Sequence, residues 1–208
     1  MTNKLKTASC GLFAALGLAA AVAAIAPAGA QIAVSSNDNK VVNVEGTNQI
    51  VENPAPDNAT IVDLGATPPK VLAQIDVPGS VVGPPQSVAV APDESIALVV
   101  ASTKKDPADP KKTAPDNRLS VIDLKAAPPA VIATHEVGVS PAGVSFSPDG
   151  KLVLVANRGD GTISVLTVVG KELAAVGKVQ LGDAKSSPSR GQRAIQPTTT
   201  MGSSWSIA

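Results

Sequence analysis

Aromatic residues are almost missing from this chain: two Phe, one Trp and no Tyr in 208 residues. Phe13 lies in an N-terminal apolar run and Trp205 near the end, so Phe146 alone falls in the body of the chain. Base-stacking surfaces, quaternary-amine cages and aromatic sugar platforms are built from such rings, and those ligand classes drop out. His135 is the only histidine and Cys10 the only cysteine, too few soft donors for a transition-metal set. From Gln31 onward no thiol remains for a disulfide, a nucleophile or a thiolate site. Charge of one sign is lacking as well, with 17 Lys+Arg against 17 Asp+Glu. No basic surplus speaks for nucleic acid or an anionic membrane surface. G-x-S-x-G, P-loop and H-E-x-x-H patterns do not occur. No catalytic residue, cofactor or metal site is assigned on these grounds.

The first 30 residues read as an export leader. Lys4 and Lys6 form its positive end, the apolar run from Gly11 to Ile25 is short for a bilayer span, and Ala28-Gly29-Ala30 supplies a small-residue cleavage site. Cleavage before Gln31 leaves no membrane span and a slightly acidic chain. It implies a periplasmic or secreted location in a bacterial host.

What is present is a repeat. Residues 85–102, PQSVAVAPDESIALVVAS, align without a gap to residues 141–158, PAGVSFSPDGKLVLVANR, at an offset of 56. Each copy is followed by a second matched unit, at 119–138 and 163–182. Self-similarity at this period marks a propeller or solenoid. Short β-branched runs end at Pro-Asp turns, and four strands per copy follow: 88–91, 96–101, 119–124 and 130–137 in one, 144–147, 152–156, 163–168 and 174–181 in the other. Ile96–Ala101 and Leu152–Ala156 are apolar on both faces, which suits strands buried on both sides between two other sheets. A partial earlier copy shows in Ile61–Val71 against Val121–Val131, with Ile32–Ser36 as its second strand and no first strand before it.

The segment SPDGKLVLVANRGDGTISVL at 147–166 resembles the repeat of the YVTN family of β-propellers, which includes seven-bladed lactonase-like propellers exported by bacteria. The tyrosine of that repeat is replaced by Leu98 or Leu154, and Asp93-Glu94 stands where the repeat has Asp-Gly. The resemblance implies an all-β fold: an incomplete β-propeller of about three four-stranded antiparallel blades, near 31–80, 81–138 and 139–183, within a unit spanning 31–188. In closed propellers of this kind a missing strand is often filled by the C-terminal end.

The repeat then fails. Ser187-Pro188 matches Ser140-Pro141, yet no strand–turn–strand pattern follows. Residues 189–208 are expected to be a disordered, non-repeat tail, from a reading-frame slip or premature end in a longer propeller gene. Three blades do not close a ring of about 4–8, so self-association through uncovered faces is expected.

Candidate site residues come from the connections between second and third strands, which in the resembled propellers lie on the ligand face. The long connection 103–117 carries Lys104, Asp106 and Asp109 and reads as a proline-stiffened, solvated excursion. The short one carries Asn157, Arg158 and Asp160, with Arg158 suited to a carboxylate or phosphate. Asp93 and Asp149 read as turn caps, and His135 as a rim residue on an outer strand. The functional expectation is a binding or scaffolding role toward a protein or small molecule. A lactonase-like hydrolase and an open-ended adhesion or assembly module stand as alternatives.

Overall fold

The computed structural model describes residues 31–80 and 86–182, and the backbone of 195–197 and 205–207. The leader and the point at which the repeat lapses lie outside these residues. The described strands are β1 (Ile32–Asn37), β2 (Val41–Val44), β3 (Thr47–Ile50), β4 (Asn58–Asp63), β5 (Lys70–Asp76), β6 (Val88–Val90), β7 (Ile96–Lys105) and β8 (Thr113–Asp123). They continue with β9 (Ala130–Glu136), β10 (Pro141–Phe146), β11 (Leu152–Asn157), β12 (Thr162–Val169) and β13 (Glu172–Gln180), then β14 (Ile195–Pro197) and β15 (Trp205–Ile207).

Two antiparallel four-stranded sheets run in chain order, β6-β7-β8-β9 and β10-β11-β12-β13. The first sheet has three strands, β1-β4-β5, and corresponds to strands two to four of the other two. The fold is all-β, an incomplete β-propeller with no ring closure among the described residues. Each sheet shifts register at the same repeat position, between Ile61 and Val62, Val121 and Ile122, and Val165 and Leu166. A bulge there increases strand twist, and its recurrence gives the three sheets a common shape.

The turn chemistry follows the residues that were read from the sequence. Asp93 Oδ1 accepts the Ser95 N–H at 3.0 Å, and Asp149 Oδ1 accepts the Lys151 N–H at 3.1 Å. Gly150 takes φ 71° in the third sheet, whereas Glu94 takes φ 54° at the matched place in the second.

Packing explains why β7 is apolar throughout. Side chains alternate across a strand. Ile96, Leu98 and Val100 join Phe146, Val153, Val155 and Leu166 in the core between the second and third sheets. Ala97 and Val99 join Ala59, Ile61, Val77 and Ile122 in the core between the first and second. In β11 only Val153, Val155 and Asn157 are buried, while Leu154 is half-buried and Leu152 is 39% exposed. Strand β11 thus buries the face turned to the second sheet and leaves the other only partly covered.

Three features correct or extend the sequence reading. The connection 103–117 is not an irregular excursion: β7 and β8 keep pairing through Thr103↔Pro115, Lys104↔Ala114 and Lys105↔Thr113 beyond a bulge. A second hairpin, β2–β3, occupies the same connection in the first sheet. In the C-terminal segment, expected to lack strands, Ile195–Pro197 pairs antiparallel with Trp205–Ile207.

Candidate functional site

The connections between second and third strands share one end of the three sheets with the segments that link one sheet to the next. Their polar side chains fasten those links. Asn157 is 2% exposed; its Oδ1 accepts the Gly138 N–H at 3.0 Å, and its Nδ2 donates to Thr162 Oγ1 and Ser164 Oγ at 2.9 Å each. Asp160 accepts the Val139 N–H at 3.2 Å and the Thr162 hydroxyl at 2.8 Å. Two of the three short-connection candidates therefore hold the link 138–140 and are spent on the fold. Arg158 is the exception. Its backbone N–H reaches Ser140 O at 3.1 Å, but its guanidinium has no hydrogen-bond or ion-pair partner among the described residues.

The three long-connection candidates do not converge. Lys104 is exposed on the extended part of β7. Asp106 accepts the Ala108 N–H at 2.9 Å, and Asp109 accepts the Lys111 N–H at 2.9 Å and pairs with Lys112 at 3.0 Å. Each carboxylate caps its own turn. The Lys111 N–H holds Asp109 below the ordinary carboxylate range, with Lys112 adding to it. Asp116 is buried and is held by Arg118 at 2.5 Å. Burial pushes its carboxyl up, but the Arg118 bond and the Asn117 N–H outweigh it and leave it below the usual range. Among the described residues no three carboxylate, imidazole or thiol groups gather at metal-binding distance. His135 sits on the outer strand β9, half-buried, opposite Leu119 and next to the link that leaves this end of the sheet.

Sequence reasoning missed a buried ion cluster beside β2–β3. Lys40 Nζ lies 2.5 Å from Asp57 and 3.1 Å from Asp38, and donates to Gly79 O at 2.8 Å. All three side chains are at most 10% exposed, so mutual pairing offsets their desolvation. The sequence signal for it is weak: an Asp two residues before a lysine, with the second carboxylate 17 positions on.

The second missed feature is the open edge of β1. Gln31 O accepts the Leu64 N–H at 2.6 Å, so alternation along the antiparallel pair turns the backbone groups of Ala33 and Ser35 toward β4. Those of Ile32, Val34 and Ser36 face the other way, where the first sheet has no inner strand. A cavity of about 410 Å³ lies there, bounded by Val34–Ser36 on one side and Ser87, Val88 and Val90 on the other. The Ser36 hydroxyl is buried with no hydrogen-bond partner. In the other two sheets this place belongs to β6 and β10, which lie side by side through a parallel bridge between Gln86 and Gly143.

Comparison with known proteins follows from this geometry. Residues 30–201 match the description of the choice-of-anchor I domain. No curated protein matches the chain. Among solved structures it is similar to hydrazine synthase of Kuenenia stuttgartiensis, at 26% identity over 61% of this chain and 30% of that one, TM-score 0.43. It is also similar to the periplasmic gluconolactonase PpgL of Pseudomonas aeruginosa, at 18% identity over 61% and 34%, TM-score 0.44. A third is the Cps50 (Swd1) β-propeller domain of Myceliophteria thermophila, at 13% identity over 64% and 40%, TM-score 0.39. The chain thus spans well under half the length of each.

Proposed function

The chain belongs to the choice-of-anchor I domain family, and from that premise we propose that it is an exported propeller module whose work is binding, done by taking an extended strand onto the open edge of β1. The observation that carries this reading is the cavity beside Val34 and Ser36. Backbone donors and acceptors face it, an unpartnered hydroxyl sits in it, and apolar side chains of β6 form its far wall. An incoming strand antiparallel to β1 would gain main-chain hydrogen bonds along the edge. Its alternate side chains would meet Ile32, Val34, Val88 and Val90, which already pack at the rim of the neighbouring core. Such recognition takes backbone first and side-chain sequence second, which suits an assembly or scaffolding partner.

The same proposal includes a leader cleaved at residue 30, YVTN-type kinship, a propeller unit over 31–188 and a non-repeat segment after it. A family described by its anchor fits an exported, surface-associated protein. Hydrolysis of a lactone has less to rest on: the lone imidazole, His135, stands on the outer strand of its sheet.

A labelled peptide copying residues 141–147 serves as a stand-in for the missing inner strand. Binding is expected to raise its anisotropy and slow amide exchange at Val34 and Ser36. A peptide with proline at alternate positions should do neither, since it cannot complete the ladder. Unchanged exchange on β1 at saturating peptide would overturn the reading.

A further inference from the structure

Two positions depart from the repeat, and both touch Gln31. The first is Glu94, which stands where the third sheet has Gly150 and takes a left-handed φ of 54°. A residue with a Cβ is strained there, and such strain at a non-glycine points to a role for the side chain. Glu94 Oε1 accepts the Gln31 N–H at 2.7 Å and the Ile32 N–H at 3.1 Å. The second is Gly65, matched by Lys125 in the second sheet. Both close the same turn, with Gly65 N–H to Asp63 Oδ1 at 2.8 Å and Lys125 N–H to Asp123 Oδ1 at 2.9 Å, so the turn itself does not call for glycine. A Cβ at position 65 would fall 2.6 Å from Gln31 Oε1, the far end of an exposed side chain that can turn aside. With Gln31 O held by the Leu64 N–H, Gln31 is gripped at its nitrogen and its oxygen.

We infer that this cradle is the binding site for the α-ammonium group formed when the leader is cut between Ala30 and Gln31. The step is hydrolysis. Water adds across the amide, the C–N bond breaks, the leader leaves with a carboxylate, and Gln31 keeps a protonated amine. The Glu94 carboxylate then receives a cation instead of an amide N–H, a shorter and stronger bond. Maturation thereby ties the first strand of the first sheet to a turn of the second. Asp63 is the other acidic group beside the cradle, and Asp93 and Lys125 lie further along the same end.

The inference rests on the cleavage reading but not on strand binding, and one preparation separates the two. Intact mass of the mature protein gives the first residue. The α-amine is then titrated by pH-dependent acylation. Its pKa is expected to lie above the ordinary value of about 7.7–8.0 and to return to it in Glu94→Gln. A raised value means stability present in full below that range and lost as pH rises through the folded pKa. Amide exchange in Ile32–Asn37 should quicken by about two- to fivefold in Glu94→Gln and Glu94→Gly, with β11 and β12 unchanged. Glu94→Gly restores the repeat residue and removes the strain, so equal or slower exchange on β1 in that variant would mean a turn residue only. Protein whose Gln31 has cyclised, recognised by loss of one ammonia, carries no cation and should match Glu94→Gln. A mature chain starting elsewhere would overturn the cleavage reading. A chain starting at Gln31 with an ordinary amine pKa would overturn this inference alone.

Discussion

Asn157 spends all of its hydrogen-bonding groups on three partners, and that economy leaves Gly138 no freedom. A Cβ built at Gly138 falls 2.3 Å from Asn157 Cγ, inside a buried contact with no flexible end to yield. Gly138→Ala is expected to cost about 1–3 kcal/mol, read as a drop in urea midpoint with unchanged slope. The aspartates make a second prediction. The Lys171 ammonium, 2.6 Å from Asp123, holds that carboxyl below its ordinary value of 3.8, helped by the Lys125 N–H. The Ser95 hydroxyl and N–H do the same for Asp93, and Ser147 with the Lys151 N–H for Asp149. Carboxyls depressed in the fold lend stability above the unfolded value and lose it as pH falls through the folded one. The urea midpoint should be level above about pH 5 and fall below about pH 4, with a shallower fall in Asp123→Asn. The turn aspartates were legible because Pro-Asp at a strand end has one common use. The fate of Asn157 was not, since sequence spacing places a residue at an end of a sheet without saying whether its side chain turns inward.

The repeated strands were legible at the scale of elements, because matched β-branched runs and matched turns mark where each lies. The β2–β3 hairpin escaped because its residues are mostly exposed and mix Val with Asn, Thr and Gln. Its signal was Glu45-Gly46, whose φ values of 49° and 82° make the two-residue turn that hairpins favour. The β7–β8 extension escaped for a different reason: three prolines and alternating charges look like loop chemistry. It is anchored at both ends. Lys105 Nζ donates to Val51 O at 2.8 Å across to the first sheet, and Asp116 O accepts the Ser140 N–H at 2.8 Å. Replacing only the tip, 106–112, by a two-residue turn should leave the unfolding free energy, read by urea titration, within about 0.5 kcal/mol of the parent. Removing 103–116 takes Asp116 with it, leaves Ser140 N–H and Arg118 unpaired, and should cost about 1–3 kcal/mol more. Equal midpoints for the two deletions would show that the Asp116 contacts contribute nothing.

Among the described residues β7 is buried on both faces, while β4 and β11 bury one face and leave the other partly open. Leu152, Leu154 and Val165 turn away from the second sheet, and Leu181 beyond β13 is 44% exposed. Apolar faces of this kind favour association. The mature protein is expected to sediment as a concentration-dependent mixture, shifted toward monomer by Leu152→Lys with Leu154→Lys. A single monomeric boundary at all concentrations would contradict this. Burial on both sides of β7 has a further consequence during synthesis. Chains emerge N-terminus first. When Ile96–Ala101 appears, the first-sheet residues that cover Ala97 and Val99 have already been made, but the third-sheet residues that cover Ile96, Leu98 and Val100 extend to Leu173. A growing or translocating chain therefore always carries one bare sheet face at its leading blade, and each new repeat hides its predecessor's surface while exposing its own. Any holding factor in the export route would meet the same β-branched surface again and again, once per blade.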